Sequence, residues 1–121
     1  MARGDDIEER LIDFAVRVIK VCDSLPLSST GAKHIKGQLV RSGTSPAPNY
    51  AEARAAESGK DFIHKLKIVL KELNESRVWI KMIIRTELMP KNRLEKVLDE
   101  CDQLCRIISS SIQTAKSRNK N

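Results

Sequence analysis

Residues 38–53, QLVRSGTSPAPNYAEA, constrain this chain more than any other stretch. They fall where a second helix is expected, yet they contain Gly43 and the prolines Pro46 and Pro48. A helix interior normally excludes proline, which removes a backbone donor and crowds the preceding turn. The hydroxyls of Ser42, Thr44 and Ser45 can return bonds to the freed carbonyls, and a kink is the expected result. Small side chains also let another backbone come close. The stretch predicts a kinked, tightly packed seam with the remaining helices arranged around it.

Apolar periodicity supplies those helices. Ile7, Leu11, Phe14, Val18, Cys22 and Leu25 recur at three- and four-residue spacing and predict a first helix over about 5–25, capped by Asp5 or Asp6. Ile12, Val16 and Ile19 form a second apolar strip on another side of it. Pro26 ends this helix, and Ser28, Ser29 or Thr30 caps the next, expected over about 30–57 with Ile35, Leu39 and Val40 inward. Ser58 and Gly59 break it. A third helix over about 60–88 divides into three sectors. Phe62, Leu66, Val69, Leu73, Ile80 and Ile84 form its core stripe. Lys60, His64, Lys67, Lys71, Asn74, Lys81 and Arg85 form a basic stripe interrupted by Val78, and Ile68, Glu72, Glu75, Trp79 and Met82 lie between the two. Two separate apolar seams on one helix predict two coverings, one by the bundle and one by another subunit. After Pro90 a fourth helix over about 91–116 buries Leu94, Val97, Leu98, Cys101, Leu104, Cys105, Ile108 and Ile112, ahead of a fraying basic tail at 117–121.

These elements predict one all-α domain, an up-and-down four-helix bundle. The chain has 121 residues with aromatics at only 3%, which suits an aliphatic helical core better than a sandwich or barrel. No signal peptide and no run of roughly 18 apolar residues are visible, so no membrane span is expected. Three cysteines without framework spacing fit a reducing, cytoplasmic setting and read as small apolar fillers. The net charge of +6 is uneven. Residues 1–24 carry four basic against six acidic side chains, whereas 58–90 and 91–121 each carry seven against four. Such a balance suits an anionic partner.

The run QLVRSGTSPAPNYAEA followed by ESGKDFIHKLKIVLKELNESRVWI, with VLDECDQLCRIISSSIQTAK near the end, resembles the four-helix bundle family of the 23S rRNA intervening-sequence protein. The resemblance covers about residues 5–117 and extends to the accessory proteins of diversity-generating retroelements. It implies a bundle that assembles into a ring, typically of five subunits, and it brings RNA or DNA into view as ligands. Where the family commonly shows Ser-Ile-Gly-Ala-Asn, this chain has Ser45-Pro46-Ala47-Pro48-Asn49, which predicts a sharper kink.

The polar residues matching the family are Arg41, Ser45, Asn49 and Glu52 with Glu72 and Glu75. They read either as a metal or acid–base pair of carboxylates or as a structural network in which Arg41 neutralises a glutamate between helices. The second reading is preferred: di-iron bundles use Glu-x-x-His on two helices, and Glu72-x-x-Glu75 has no histidine companion. No metal, cofactor or catalytic residue is expected. Lys60, Lys67, Lys71, Lys81 and Arg85 are either a solvated face or contacts to a phosphate backbone, and ring assembly, by repeating the stripe, favours phosphate. Trp79, with Ile68 and Met82, is a candidate subunit interface; a core position for Trp79 is the other reading. The expectation is a non-enzymatic homo-oligomer that binds structured RNA or DNA without strong sequence preference. A protein-interaction scaffold that needs a protein partner is the alternative.

Overall fold

In the computed structural model, which describes residues 4–119, every element is helical. The first rod is α1, Gly4–Ser24. Asp5 and Asp6 lie inside its first turn, where negative charge suits the helix N-terminus, rather than ahead of it as caps. The second rod is broken into α2, Thr30–Thr44, and α3, Pro46–Arg54. Then come α4, Gly59–Arg85, a short 3-10 turn at Lys91–Arg93, and α5, Glu95–Asn119. The last helix thus extends through residues 117–119, which were expected to fray; 120 and 121 lie outside the described residues. Counting α2 and α3 as one bent rod, this is a four-helix bundle: α1 packs on α2, α3 and α5, and α4 packs on the other side of the same three.

Each rod starts and stops for a local reason. Ser29 caps α2 by accepting from the Ala32 amide, and Ser58 caps α4 by accepting from the Asp61 amide. α4 ends in a Schellman arrangement: the Leu88 amide donates to the Ile83 carbonyl and the Glu87 amide to Ile84. Glu87 occupies the left-handed position, at φ 56°, where glycine is usual.

The bend falls at Ser45, with Pro46 opening α3 in the position proline tolerates best. The hydroxyls near it do not reach the carbonyls that the prolines free. Ser42 donates instead to the Leu39 carbonyl and Thr44 to Val40, one turn back. Asn49 closes the junction, its Nδ2 donating to the Ser45 carbonyl and hydroxyl at 3.0 and 2.9 Å. Backbone continuity also holds, because the Ser45 amide reaches the Arg41 carbonyl and the Asn49 amide reaches Ser45.

The core is aliphatic around Phe14. On α4 the inward stripe is Leu66, Val69, Leu73, Ser76, Ile80 and Ile83, alternating steps of three and four residues, with Glu72 buried beside it. The expected stripe missed Ser76 and placed Ile84 inward; Ile84 and Phe62 are only half-buried, and Ile83 takes the inner position. Val40 also points outward, and Leu98 and Cys105 are half-buried. At the seam, the Ser76 hydroxyl donates to the buried Ser42 hydroxyl at 2.8 Å, joining α2 to α4. The next residue, Gly43, faces α1 so closely that a Cβ there would lie 2.6 Å from Val18 Cγ1.

Gly43 and Gly37 therefore make opposite predictions on one helix. Gly43→Ala overpacks the α1–α2 contact and should cost about 1–3 kcal/mol. Gly37 is exposed with open space around it, so Gly37→Ala should stabilise by about 0.5–1 kcal/mol. Urea denaturation of both variants checks the pair.

Candidate nucleic-acid interface

α4 carries the basic stripe along its 27 residues. At 100° per residue, Lys60, Lys67, Lys71, Lys81 and Arg85 fall within an arc of about 80°, almost opposite the buried stripe. Lys60, Lys67, Lys71 and Arg85 are exposed; Lys81, on the edge next to α5, is half-buried. None of the five forms a salt bridge among the described residues. Other cations behave differently. Arg10 donates to Glu100, Arg54 to Glu8 at 3.2 Å, and Lys65 to Glu52 at 3.1 Å, each joining two rods. Several acidic side chains thus serve the seams, and on the α4 stripe the counter-charge is limited to the pull between Lys71 and the Glu75 carboxylate and to Asp61 beside Lys60.

The six polar residues matched in the sequence separate into three groups. Arg41 of α2 donates to Glu72 at 2.8 Å and to Glu75, bridging to α4. Ser45 pairs with Asn49 at the bend, and Glu52 is taken by Lys65. Glu72 is 8% exposed, so Arg41 supplies the charge that makes its burial tolerable. Trp79 Nε1 donates to Glu75 at 3.1 Å, and this bond, followed by Arg41, holds the Glu75 carboxyl below its usual range against the opposing effect of burial. The same carboxylates, Glu75 first and Glu72 next, raise the Arg41 guanidinium further above its ordinary value. Trp79 is half-buried, with the His34 ring standing edge-on at 5.8 Å between centroids. Ile68 is half-buried and Met82 is 42% exposed. The bundle therefore covers much of the third α4 strip with α2 itself.

Of the connections that the sequence did not predict, two are instructive. The Ser42–Ser76 pair was signalled by a hydroxyl residue standing at core spacing on α4. The contact of Arg10 with Glu100 and Gln103 had no local signal, since its partners lie some ninety residues apart.

Little here is arranged for acid–base chemistry. Among the described residues no group of three or more His, Cys, Asp and Glu side chains is placed to hold a metal ion. A hollow of about 550 Å³ opens between the start of α1 and the end of α5, floored by Ile7, Tyr50, Phe62 and Ile107; its lining contains no His, Cys, Asp or Glu. The three cysteines are free thiols; burial pushes the Cys22 thiol up to about 11, and the Cys101 thiol is raised by hydrogen bonding with Cys105 and by burial. No described helix is long and apolar enough to cross a membrane.

A family model described as 23S rRNA-intervening sequence protein matches residues 5–110. The chain belongs to that family. A crystal structure of a protein of unknown function from the S23 ribosomal protein family, from Bacteroides thetaiotaomicron VPI-5482, is similar over 91% of this chain and 97% of its own, at 32% identity and a TM-score of 0.80. No curated protein matches the chain. Neither the description of the 23S rRNA-intervening sequence family nor that of the solved relative names an enzymatic activity.

Arg41→Gln leaves Glu72 buried without its cation, and stability at pH 7 should fall by about 1–3 kcal/mol. Because the Glu75 carboxyl is depressed in the folded state, its contribution is present above the ordinary carboxylate range and is lost as pH falls through the folded value. The gap between wild type and variant should narrow only on strong acidification, as read by denaturation at neutral pH and again at a pH below the ordinary carboxylate range.

Proposed function

We propose that this bundle is a non-enzymatic, oligomeric nucleic-acid-binding protein that holds structured RNA or DNA by its phosphates. The observation that carries this reading is the α4 stripe, whose five cations form no salt bridge among the described residues. From Lys60 to Arg85 it extends roughly 38 Å at 1.5 Å per residue, close to one turn of a duplex. Flexible cations at three- and four-residue spacing follow a backbone through charge and carry no base-edge readout. The scarcity of aromatics, with Trp79 occupied by Glu75 and His34, weighs against stacking on single strands. The family description, which ties the group to intervening sequences of 23S rRNA, agrees in kind with an RNA ligand.

Binding of nuclease-treated protein to a structured RNA and a matched duplex DNA, across a salt series, tests the reading. Log affinity should fall steeply with log salt, its slope counting neutralised phosphates. Replacing Lys60, Lys67, Lys71 and Arg85 by Glu should remove binding while helical circular dichroism persists. Unchanged affinity in that variant would overturn the assignment of the stripe; binding that ignores salt and requires a protein partner would favour a scaffold.

Assembly is part of the same proposal. Ile12, Val16 and Ile19 stand 40–43% exposed on α1, apart from the α4 strip in which Met82 is the most open residue. Two different apolar strips on one protomer suit a head-to-tail contact, which closes into a ring when the rotation permits; the family resemblance suggests five subunits. Val16→Glu should reduce the mass measured by light scattering to that of a monomer without loss of helix. A wild type that is already monomeric at micromolar concentration would remove the ring.

A further inference from the structure

The seam between α1 and α5 is bridged near its middle by opposite charges, Arg10 against Glu100 with Gln103 beside them. Toward the end of α1 the same seam reverses. Arg17 and Lys20 come from α1, Arg93 from the 3-10 turn, and Lys96 from the first turn of α5, and all four line one hollow of about 250 Å³. Among the described residues no carboxylate lines it. None of the four forms a salt bridge among the described residues. One cation is held in place: Arg93 Nη2 donates to the Ser24 hydroxyl at 3.2 Å, and that hydroxyl donates to the Lys20 carbonyl at 3.0 Å. The floor is apolar, made by the buried Val21, Met89 and Val97.

Four like charges facing one another across a seam raise the energy of the protein by itself. The carbonyl end of α1 offsets part of that repulsion. An anion in the hollow would offset the rest. Its chemistry is limited by size and charge. The hollow is smaller than the roughly 300–1,000 Å³ of pockets that enclose a drug-sized molecule, so it suits a group rather than a whole nucleotide. A phosphodiester within a strand brings one negative charge. A terminal phosphate monoester brings about −1.5 to −2 and three acceptor oxygens, which better matches donors arriving from several sides.

We infer that this hollow is a phosphate-binding site that takes the terminal phosphate monoester of a nucleic-acid strand. The strand end rests on the function proposed above; the phosphate chemistry does not. The site lies on α1 and α5, separate from the α4 stripe, and adds a preference for phosphorylated ends to a surface otherwise indifferent to strand position.

The test uses the full chain and two probes. The first is a pair of identical RNA duplexes with and without 5′-phosphates, binding wild type, an Arg17→Gln/Lys96→Gln variant, and a Lys67→Gln/Lys71→Gln variant. The second is inorganic phosphate alone, followed by NMR shifts of the Val21, Met89 and Val97 methyl groups. Wild type should prefer the phosphorylated duplex by about tenfold. The hollow variant should lose that preference with an unchanged or higher melting temperature, since it relieves repulsion. The stripe variant should weaken both duplexes alike and keep the ratio. Equal affinity for the two duplexes in wild type, with no methyl shifts from phosphate, overturns the site while leaving the stripe reading intact. Phosphate-dependent shifts that vanish in the hollow variant, without binding of either duplex, support the site with a free phosphate ester as its ligand and overturn the nucleic-acid reading instead.

Discussion

Ser42 and Gly43 determine how close α2 lies to both of its neighbours. One turns a hydroxyl to Ser76 of α4, and the other presents bare backbone to Val18 of α1. A larger residue at either position would push one rod away, and the buried side chains on both sides would lose contacts that need packing at crystal-like density. The bend at Ser45 comes directly after this close-packed pair. Having come in tightly along α2, the chain changes direction before α3, and the two prolines fix where it does so. Asn49 and the local backbone bonds, rather than the hydroxyls upstream, hold the junction together.

Much of this was legible in the sequence because aliphatic residues repeat at helical spacing in every rod. The α1 core, a cap among Ser28, Ser29 and Thr30, the break at Ser58 and Gly59, the kink of the second rod and the pairing of Arg41 with a glutamate all have local or patterned signals. The errors share a cause. A polar residue at core spacing interrupts the apolar periodicity: Ser76 holds an inward position on α4, and beyond it Ile83 rather than Ile84 faces the core. The polar set of six looked like one network because its members recur on two helices. In space Glu52 meets Lys65 and Asn49 meets Ser45, so only Arg41, Glu72 and Glu75 converge. Contacts between rods distant in sequence, such as Arg10 with Glu100, depend on the fold itself and leave no local trace.

Charge is apportioned in space more sharply than in composition. Glu8, Glu52, Glu72, Glu75 and Glu100 each accept from a cation on another rod, so these acids serve the interior seams. The outward cations of the α4 stripe and of the α1–α5 end form no salt bridge among the described residues. A protein with the same net charge, but with its acids distributed over the surface, would present a far weaker field to a polyanion. The excess of +6 understates the effect, since it averages over regions that do opposite things.

Trp79 gives the seam an optical signature of its own. It is the single tryptophan in the chain, and it touches both halves of the α2–α4 contact, through Glu75 and through the ring of His34. Indole emission responds to the polarity around the ring, and all of the tryptophan fluorescence of this protein originates at one helix–helix boundary. Separation of α2 from α4 changes that light directly, whereas events confined to the α1–α5 side leave it nearly constant. The molecule thus carries a built-in reporter that distinguishes opening of one side of the bundle from opening of the other, without any label.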